Sequence, residues 1–323
     1  MNRNDYDEIK KIFHQFVKDW QNKNNEELRK YILPDLKFYV STCKDYTDGS
    51  RHSLHGISGF INEIPETSYF RLDPYNFLMN SNDEKAHISA IVCGVAASIG
   101  EWKTCQFVFN LVATLLKRNS AWKFSELRMD LTDFTGDFDE MISNWYIGDP
   151  KAHWFNGVHL PMISGEMDNI YNEIPEQKNI LTEEEEITSV LFRYAFGIDT
   201  NAFHITQQIL SDDLIVNMAP FGIMDKRTTL QSMKLHHGPH KYWTHPILIE
   251  SINIDGDVAY IRAWRIAGHR QHNNPLLLTP ENIKHKFACA RYEIKVRKEN
   301  GMWKLYREDY FLGIIELELL RIN

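Results

Sequence analysis

The feature that most constrains the fold of this chain is an internal repeat with a spacing of about 180 residues. Asp19 and Asp199 each end an apolar helical segment and lie 180 positions apart. A Trp-Lys pair near the end of each half recurs after 181 positions, at Trp122 and Trp303. A spacing that stays nearly constant through most of each half indicates one fold present twice. Few residues are identical between the halves, so the repeat predicts a shared fold and not a shared function.

The local signals indicate the same elements in each half. Thr182, followed three residues later by Glu185, predicts a helix that starts with a capping box. Apolar residues then recur at three- and four-residue spacing as far as Ile198, which is typical of one buried helix face. Further along, Asp255-Gly256 separates two β-rich segments and predicts a hairpin. We therefore expect α+β domains in which helices pack against a long, curled antiparallel sheet, forming a cone-shaped barrel.

The repeat also predicts the domain boundaries. We expect one domain over residues 1–130, an ordered linker over 131–180, and a second domain over 181–323. The linker is rich in glycine and proline but also contains aromatic residues such as Trp145 and Trp154. A disordered linker would have few aromatic residues. We therefore expect this segment to pack across the domains.

Composition excludes several function classes. The chain has 323 residues and a formal net charge of -8. Without clusters of Lys and Arg it lacks the basic surface that nucleic-acid binding requires. It contains no Gly-x-Gly-x-x-Gly sequence, Walker loop or Gly-x-Ser-x-Gly elbow, so we expect no nucleotide cofactor and no serine hydrolase chemistry.

Cysteine usage and the N-terminus predict where the protein resides. No two of the four cysteines have the Cys-x-x-Cys spacing, and free buried thiols suit a reducing compartment. The first ten residues are polar, unlike a signal peptide. No apolar segment reaches the ~20 residues of a membrane helix. We expect a cytoplasmic protein without membrane partners.

Four segments of the second half carry a resemblance to a known family. They are FRYAFGIDTNAF at 192–203, SDDLIVNM at 211–218, WTHPILIESINIDGDVAYIRAW at 243–264 and GMWKLYRED at 301–309. Together they resemble the nuclear transport factor 2-like superfamily (a cystatin-like cone fold), and within it the SnoaL-like group that contains scytalone dehydratase. The first half shows the same frame more weakly. The resemblance implies a tandem pair of cone-shaped domains, each with an enclosed pocket.

The resemblance also implies site residues. The pocket aspartate of the dehydratase falls on Asp199, and its two histidines fall on His245 and His269. Its two tyrosines fall on Ile198 and Met218, neither of which can donate the corresponding hydrogen bond. Superfamily members commonly dimerise through their sheets, so the resemblance further implies an intramolecular pseudo-dimer of the two halves.

Strand alternation supports an inward position for the histidines. His245 shares its parity with Ile247 and Ile249, and an aspartate facing it would hold one tautomer and raise its basicity. The alternative is that Asp199 caps the helix junction and the histidines are satisfied core groups. Four further residues are expected to line the pocket: Tyr194, Met218, Trp264 and Tyr306.

A histidine-rich loop offers a weaker, metal-binding interpretation. His236, His237 and His240 lie within five residues, as do His52 and His55 in the first half. No carboxylate or cysteine stands at the spacing of a helical metal site, so we expect no metal. The first half also lacks a counterpart of the second half's pocket histidine, which favours a structural role or a different ligand there.

Three functions remain open from the sequence. The first is a cofactor-independent lyase or isomerase that acts on a small apolar substrate through proton transfer, with Asp199, His245 and His269 as the catalytic group. The second is a ligand carrier or sensor without turnover. The third is a structural or protein-interaction role in which side chains fill the pockets.

Overall fold

A computed structural model of the chain describes residues 2–40, 51–52, 67, 69–98, 100–137, 163–174, 176, 180–237, 244–266 and 278–317. The chain divides into two compact units, unit 1 (Met1–Ile180) and unit 2 (Leu181–Asn323). Within the described ranges, no helix combines the length and the apolar character needed to cross a membrane.

Unit 1 begins with two helices, α1 (Arg3–Gln21) and α2 (Asn25–Tyr31). Six strands follow, β1 (Ile32–Val40), β2 (Arg51–His52), β3 (Tyr69–Ser81), β4 (Lys85–Ser98), β5 (Lys103–Arg118) and β6 (Ala121–Gly136). They form one sheet in the order β2-β1-β6-β5-β4-β3. The pair β1 and β6 is parallel and the other pairs are antiparallel. Because β6 continues to Gly136, this strand runs past the domain end expected at residue 130.

Unit 2 has helices α3 (Glu183–Asp199), α4 (Phe203–Ile209) and α5 (Lys226–His237). Its strands are β7 (Leu210–Met218), β8 (Gly222–Asp225), β9 (Ile247–Asp255), β10 (Val258–Ile266), β11 (Phe287–Glu299) and β12 (Met302–Glu316). The sheet order is β8-β7-β12-β11-β10-β9, with β7 parallel to β12 and the remaining pairs antiparallel. Strand for strand, this is the order found in unit 1.

Strands β6 and β12, which are the last strands of the two units in chain order, carry a bulge at the same place. In unit 2, Val296 pairs with Leu305 and Lys295 with Arg307, which leaves Tyr306 as an extra residue. In unit 1, Leu115 pairs with Phe124 and Thr114 with Glu126, which leaves Ser125 as the corresponding extra residue. A bulge changes the face on which the following side chains lie. In unit 2, Leu305 and Glu308 are therefore both buried although three positions separate them.

Two local features fix the start and the end of α3. Thr182 Oγ1 accepts a hydrogen bond from the Glu185 amide, and the Thr182 amide donates one to Glu185 Oε2, which is the predicted capping box. At the other end, a Cβ added to Gly197 would come within 2.1 Å of Thr206 Oγ1. Glycine at this position lets α3 and α4 pack closely.

Aromatic rings fill the core of unit 1. Phe16 packs on Phe124 with ring centroids 4.7 Å apart, and Trp20 packs on Phe109 at 5.5 Å. The Phe107 ring occupies the space beside Gly94, where any Cβ would overlap it. Aromatic side chains bury large apolar areas, so they account for much of the stability of this unit.

Part of the expected linker packs on unit 1. Asp130 Oδ2 accepts a hydrogen bond from the Ile163 amide at 2.9 Å. The buried Asn80 amide donates to the carbonyl oxygens of Ile170, at 3.2 Å, and Ile174, at 2.5 Å. These contacts order residues 163–174 against strands β3 and β6. The linker's Trp145 and Trp154 lie outside the described residues.

Candidate functional site

The central feature of unit 2 is a buried aspartate–histidine pair. Asp199 Oδ1 lies 2.5 Å from His245 Nδ1, and Asp199 Oδ2 accepts the His245 backbone N–H at 2.8 Å. The His245 side chain is 6% exposed and that of Asp199 is 1% exposed. A single carboxylate therefore holds both the backbone and the ring of the histidine, which fixes the orientation of the imidazole.

Helix and strand ends bring this pair together. Asp199 is the last residue of α3, and His245 lies just before β9 in the described segment 244–246. The end of β10 holds that segment from the other side: Arg265 Nε donates to the Thr244 carbonyl at 2.9 Å, and the Ile266 amide donates to the Pro246 carbonyl at 2.8 Å. The position of the imidazole thus depends on main-chain hydrogen bonds as well as on Asp199.

Burial sets the protonation of the pair. Desolvation raises the pKa of Asp199 above its ordinary value, opposed by the hydrogen bond from the His245 amide and by the charge of Arg265. Desolvation, and then the positive charge of Arg265, lowers the pKa of His245 well below its ordinary value. At neutral pH the imidazole is therefore neutral. When Nδ1–H donates to Asp199, Nε2 carries the lone pair of a base.

One buried tyrosine on α3 contacts His245, and two more, on β11 and β12, lie beside Arg265. The Tyr194 ring meets the His245 ring edge-on, with centroids 6.4 Å apart. Tyr292 and Tyr310 pack on each other at 5.0 Å, and Arg265 Nη1 donates to the Tyr310 hydroxyl at 3.3 Å. Burial raises the pKa of Tyr194 and of Tyr292 well above the ordinary value, so both hydroxyls remain protonated.

A second buried carboxyl group lies on β12. Glu308 is 0% exposed, and neither of its carboxyl oxygens has a hydrogen-bond partner in the part of the chain that the structure describes. Desolvation raises its pKa to about 8, while the interaction with the Tyr194 hydroxyl opposes the shift and the Asp309 carboxylate adds to it. Glu308 is thus a neutral carboxylic acid at neutral pH.

The sequence of this region decides the family. Residues 179–308 match the family model described as the SnoaL-like domain. Residues 179–308 are a SnoaL-like domain. The matched range takes in α3, the aspartate–histidine pair and the strands of unit 2 as far as Glu308. No curated protein is significantly similar in sequence to this chain.

Solved structures show weaker similarities to this chain. A protein assigned provisionally as a scytalone dehydratase from Novosphingobium aromaticivorans is 13% identical, with 45% of this chain and 89% of that chain covered and a TM-score of 0.36. A hexachlorocyclohexane dehydrochlorinase from Novosphingobium barchaimii is 13% identical, with 45% and 96% covered and a TM-score of 0.36. An NTF2-like protein with a cystatin-like fold from Novosphingobium aromaticivorans is 12% identical, with 40% and 83% covered and a TM-score of 0.34. The family assignment rests on the match over residues 179–308 and not on these similarities.

Two residues expected in the pocket of the SnoaL-like domain lie elsewhere. Trp264 Nε1 donates to Glu250 Oε2 at 2.8 Å, on the face of β10 opposite to Ala263 and Arg265. Tyr306 is the bulged residue of β12, and the Arg297 guanidinium lies over its ring at 5.0 Å. Contrary to the prediction, both side chains belong to the outer face of the sheet, because Trp264 follows the inward-facing Ala263 and Tyr306 follows the inward-facing Leu305.

The other predicted site residues have mixed outcomes. Tyr194 is buried beside His245, and Met218 is partly buried against the core of the SnoaL-like domain. His269 lies outside the described residues.

His236 Nδ1 lies 2.7 Å from the Ser232 carbonyl in its own helix. Among the described residues, no three His, Cys, Asp or Glu side chains gather as metal ligands.

Arg265 and Glu308 are ionisable residues of this region that sequence reasoning missed. Arg265 has the parity of Ile261 and Ala263 on β10, so an arginine at an inward strand position was the available signal. Glu308 gave no such signal, because alternation counted from Trp303 and Leu305 places Arg307 on the inner face and Glu308 outside.

Proposed function

We propose that the SnoaL-like domain catalyses a cofactor-independent proton-transfer reaction on a small apolar substrate, as a lyase or isomerase. The observation that supports this is the buried pair of Asp199 and His245, with Oδ1 and Nδ1 2.5 Å apart. A neutral imidazole fixed in one orientation by a carboxylate is the arrangement of a general base. Burial lowers the pKa of His245, so the imidazole is neutral at physiological pH. We take Asp199 as the ionised partner, supported by the His245 amide and by the charge of Arg265, which leaves the imidazole lone pair on Nε2.

Each group has a defined task in the proposed reaction. His245 accepts a proton from an acidic C–H of the substrate at Nε2. Asp199 keeps Nδ1 protonated and stabilises the imidazolium that forms. The positive charge of Arg265 is fixed nearby by Thr244 and Tyr310, and it favours negative charge that develops on the substrate. His269, which the family resemblance also assigns to the site, is proposed as a second acid/base group.

Exchange with solvent deuterium tests this function without knowledge of the natural substrate. The purified chain is incubated in D2O with small apolar ketones, and incorporation of deuterium beside the carbonyl is followed by NMR. We expect exchange by the wild type and a loss of at least ~100-fold in His245→Gln. The control is His204→Gln on the exposed surface of α4, which should exchange at the wild-type rate. Equal exchange by His245→Gln and wild type would refute the proposal, and binding without exchange would favour a ligand carrier.

We further propose that unit 1 is a divergent tandem copy with a structural role. Its sheet has the same strand order and the same bulge position as that of unit 2. The Leu72 amide at β3 donates to Gln21 Oε1 at 2.8 Å, where unit 2 uses the Asp199 carboxylate to hold the start of β9. Leu127 stands where Glu308 stands in unit 2, since both follow the bulged residue by two positions. At this position on the last strand, unit 1 is thus apolar where unit 2 carries a carboxyl group, whereas the buried Asp19 keeps the position of Asp199.

Substitutions in unit 1 test this role. Gln21→Ala removes the acceptor for the Leu72 amide and should destabilise unit 1 by about 1 kcal/mol or more. We expect deuterium exchange by the chain to remain at the wild-type rate at temperatures where unit 1 stays folded. A loss of exchange with unit 1 still folded would show that unit 1 takes part in the reaction.

A further inference from the structure

A cleft on the surface of unit 2 is distinct from the buried aspartate–histidine pair. Its volume is about 440 Å³, and it is bounded by α4, α5, the start of β7 and the end of β8. Neither Asp199 nor His245 belongs to its lining. Clefts of roughly 300–1,000 Å³ accommodate small-molecule ligands, so this cleft is large enough to bind one.

One face of α5 forms a wall of the cleft. Arg227, Leu230, Gln231 and Lys234 line it and recur at positions i, i+3, i+4 and i+7, which places all four side chains on the same face of the helix. The helix rises by about 10 Å between Arg227 and Lys234, so these two cations mark the ends of the wall. Leu230 lies between them and packs against the core of the domain.

Helix α4 supplies the opposite wall. Gln207 lines the cleft from this side. Phe203, one turn earlier in α4, packs against the core, and Lys234 Nζ lies 5.8 Å from the centroid of its ring. This cation–π interaction holds the Lys234 ammonium at one end of the cleft, while its side chain stays exposed.

The two carboxylates of the cleft already have partners within the domain. Asp212 Oδ1 lies 2.8 Å from Lys226 Nζ, which also donates to the Leu210 carbonyl at 2.9 Å. Asp225 Oδ1 accepts the Thr228 amide at 2.7 Å and so caps the first turn of α5. Both acidic groups and Lys226 therefore serve the local structure.

The cations at the two ends of the wall are available to a ligand. The Arg227 side chain is exposed and donates no hydrogen bond within the described part of the chain, although its charge acts on Asp225. Three cations and two carboxylates line the cleft, which leaves one net positive charge, whereas the whole chain has a formal net charge of -8. A cleft with this local charge attracts anions to a protein that otherwise repels them.

We propose that this cleft binds an elongated small molecule with a carboxylate at each end, an α,ω-dicarboxylate. Arg227 binds one carboxylate with its planar guanidinium, and Lys234 binds the other about 10 Å away. Leu230 contacts the carbon chain between them, and the Gln207 and Gln231 amides supply hydrogen bonds from the two walls. The ligand bridges α4 and α5, and its binding does not depend on the reaction proposed for the buried pair.

Titration with three carboxylates tests the site on the whole chain. Suberate is an α,ω-dicarboxylate whose extended length is close to the ~10 Å between the two cations. Octanoate has the same carbon chain with one charge, and malonate has two charges on a much shorter chain. Binding is followed by the chemical shifts of the α4 and α5 amides at low ionic strength, where exposed charges are least screened. We expect suberate to saturate the site and to bind at least ~5-fold more tightly than octanoate or malonate.

Substitutions of the two cations locate the binding. We expect Arg227→Gln and Lys234→Gln each to weaken the binding of suberate by ~5-fold, and the double variant by ~25-fold. The controls remove matched cations from the sheet of unit 2. Lys295→Gln removes an ammonium that lies 5.3 Å from the centroid of the Tyr260 ring, and Arg262→Gln removes a half-exposed guanidinium. Both controls change the net charge equally and should bind suberate as the wild type does.

Three outcomes would overturn the inference. Equal affinity for suberate and octanoate would mean that only one cation binds a carboxylate. Equal affinity for suberate and malonate would mean that charge alone, and not the spacing of the cations, governs binding. The cleft would not be the site if suberate bound without saturation, or if Arg227→Gln and Lys234→Gln bound it as tightly as the controls. Deuterium exchange by the buried pair is measured separately, so either proposal can fail without the other.

Discussion

Glu308 makes a prediction about stability that requires no substrate. Its pKa in the folded protein is about 8, against an ordinary value of 4.5 that applies to the unfolded chain. Between pH 4.5 and about pH 8, the folded protein keeps a proton on Glu308 that the unfolded chain releases. The favourable contribution of the protonated carboxyl is therefore fully present below pH 4.5 and is lost as the pH rises through about 8.

The size of the effect follows from the same two values. Each pH unit between them costs about 1.4 kcal/mol of unfolding free energy, so the whole interval corresponds to about 5 kcal/mol. Glu308→Gln removes the titration and keeps the shape of the side chain. We expect the unfolding free energy of this variant, relative to wild type, to rise by about 4 kcal/mol between pH 5 and pH 8.

Hydrogen exchange with mass spectrometry on β11 and β12 measures this difference, because it reports the opening of unit 2 separately from unit 1. The amides are compared in both proteins at several pH values after correction for the intrinsic exchange rate. Subtracting the unfolding free energy of the wild type from that of the variant at each pH cancels the contributions of all other titrating groups. A difference that stays constant from pH 5 to pH 8 would mean that Glu308 is ionised in the folded state, which would refute both the pKa argument and the neutral acid.

Two further predictions concern α3 and the pair it supports. Asp199→Asn should reduce α-proton exchange by at least ~100-fold in the D2O assay, because an amide at this position can donate to Nδ1 and leave the proton of His245 on Nε2; unchanged exchange would mean that Asp199 only caps the helix junction. Gly197→Ala should lower the stability of unit 2 by about 1–3 kcal/mol in denaturant unfolding, since its Cβ would lie 2.1 Å from Thr206 Oγ1. The same substitution at Gly313, where a Cβ meets nothing within 4 Å, is the control and should cost much less.

Strand alternation predicted the inward position of His245, and the family resemblance predicted Asp199 as its partner, but neither predicted the rest of the site. The sequence places Asp199 at a helix end and His245 in phase with Ile247, and the structure has both side chains buried and in contact. This reasoning works where a regular strand follows directly from the residue in question. The capping box at Thr182 and Glu185 was predictable for the same reason, because it depends only on residues three positions apart.

Strand alternation fails to predict which side chains face inward where the pairing of the strands is irregular. On β10 alternation holds, because the inward positions of Ile261 and Ala263 place Trp264 on the outer face, beside Glu250. On β12, alternation favours Arg307 over Glu308 as the inward residue. A bulge depends on pairing between strands that lie apart in sequence, so no local pattern in β12 reveals it. The buried carboxyl group could be found only in three dimensions.

The bulge at Tyr306 also determines which side chains of β12 face the interior. If Tyr306 took a regular place in the ladder, every residue beyond it would change sides. Arg307 and Asp309, which now form an ion pair at 2.8 Å on the outer face, would turn inward, and Glu308 would meet water. The interior would then receive two permanent charges in place of one exchangeable proton. One unpaired residue, through its place in the ladder and not through its side chain, thus selects which of two adjacent carboxyl groups faces the interior.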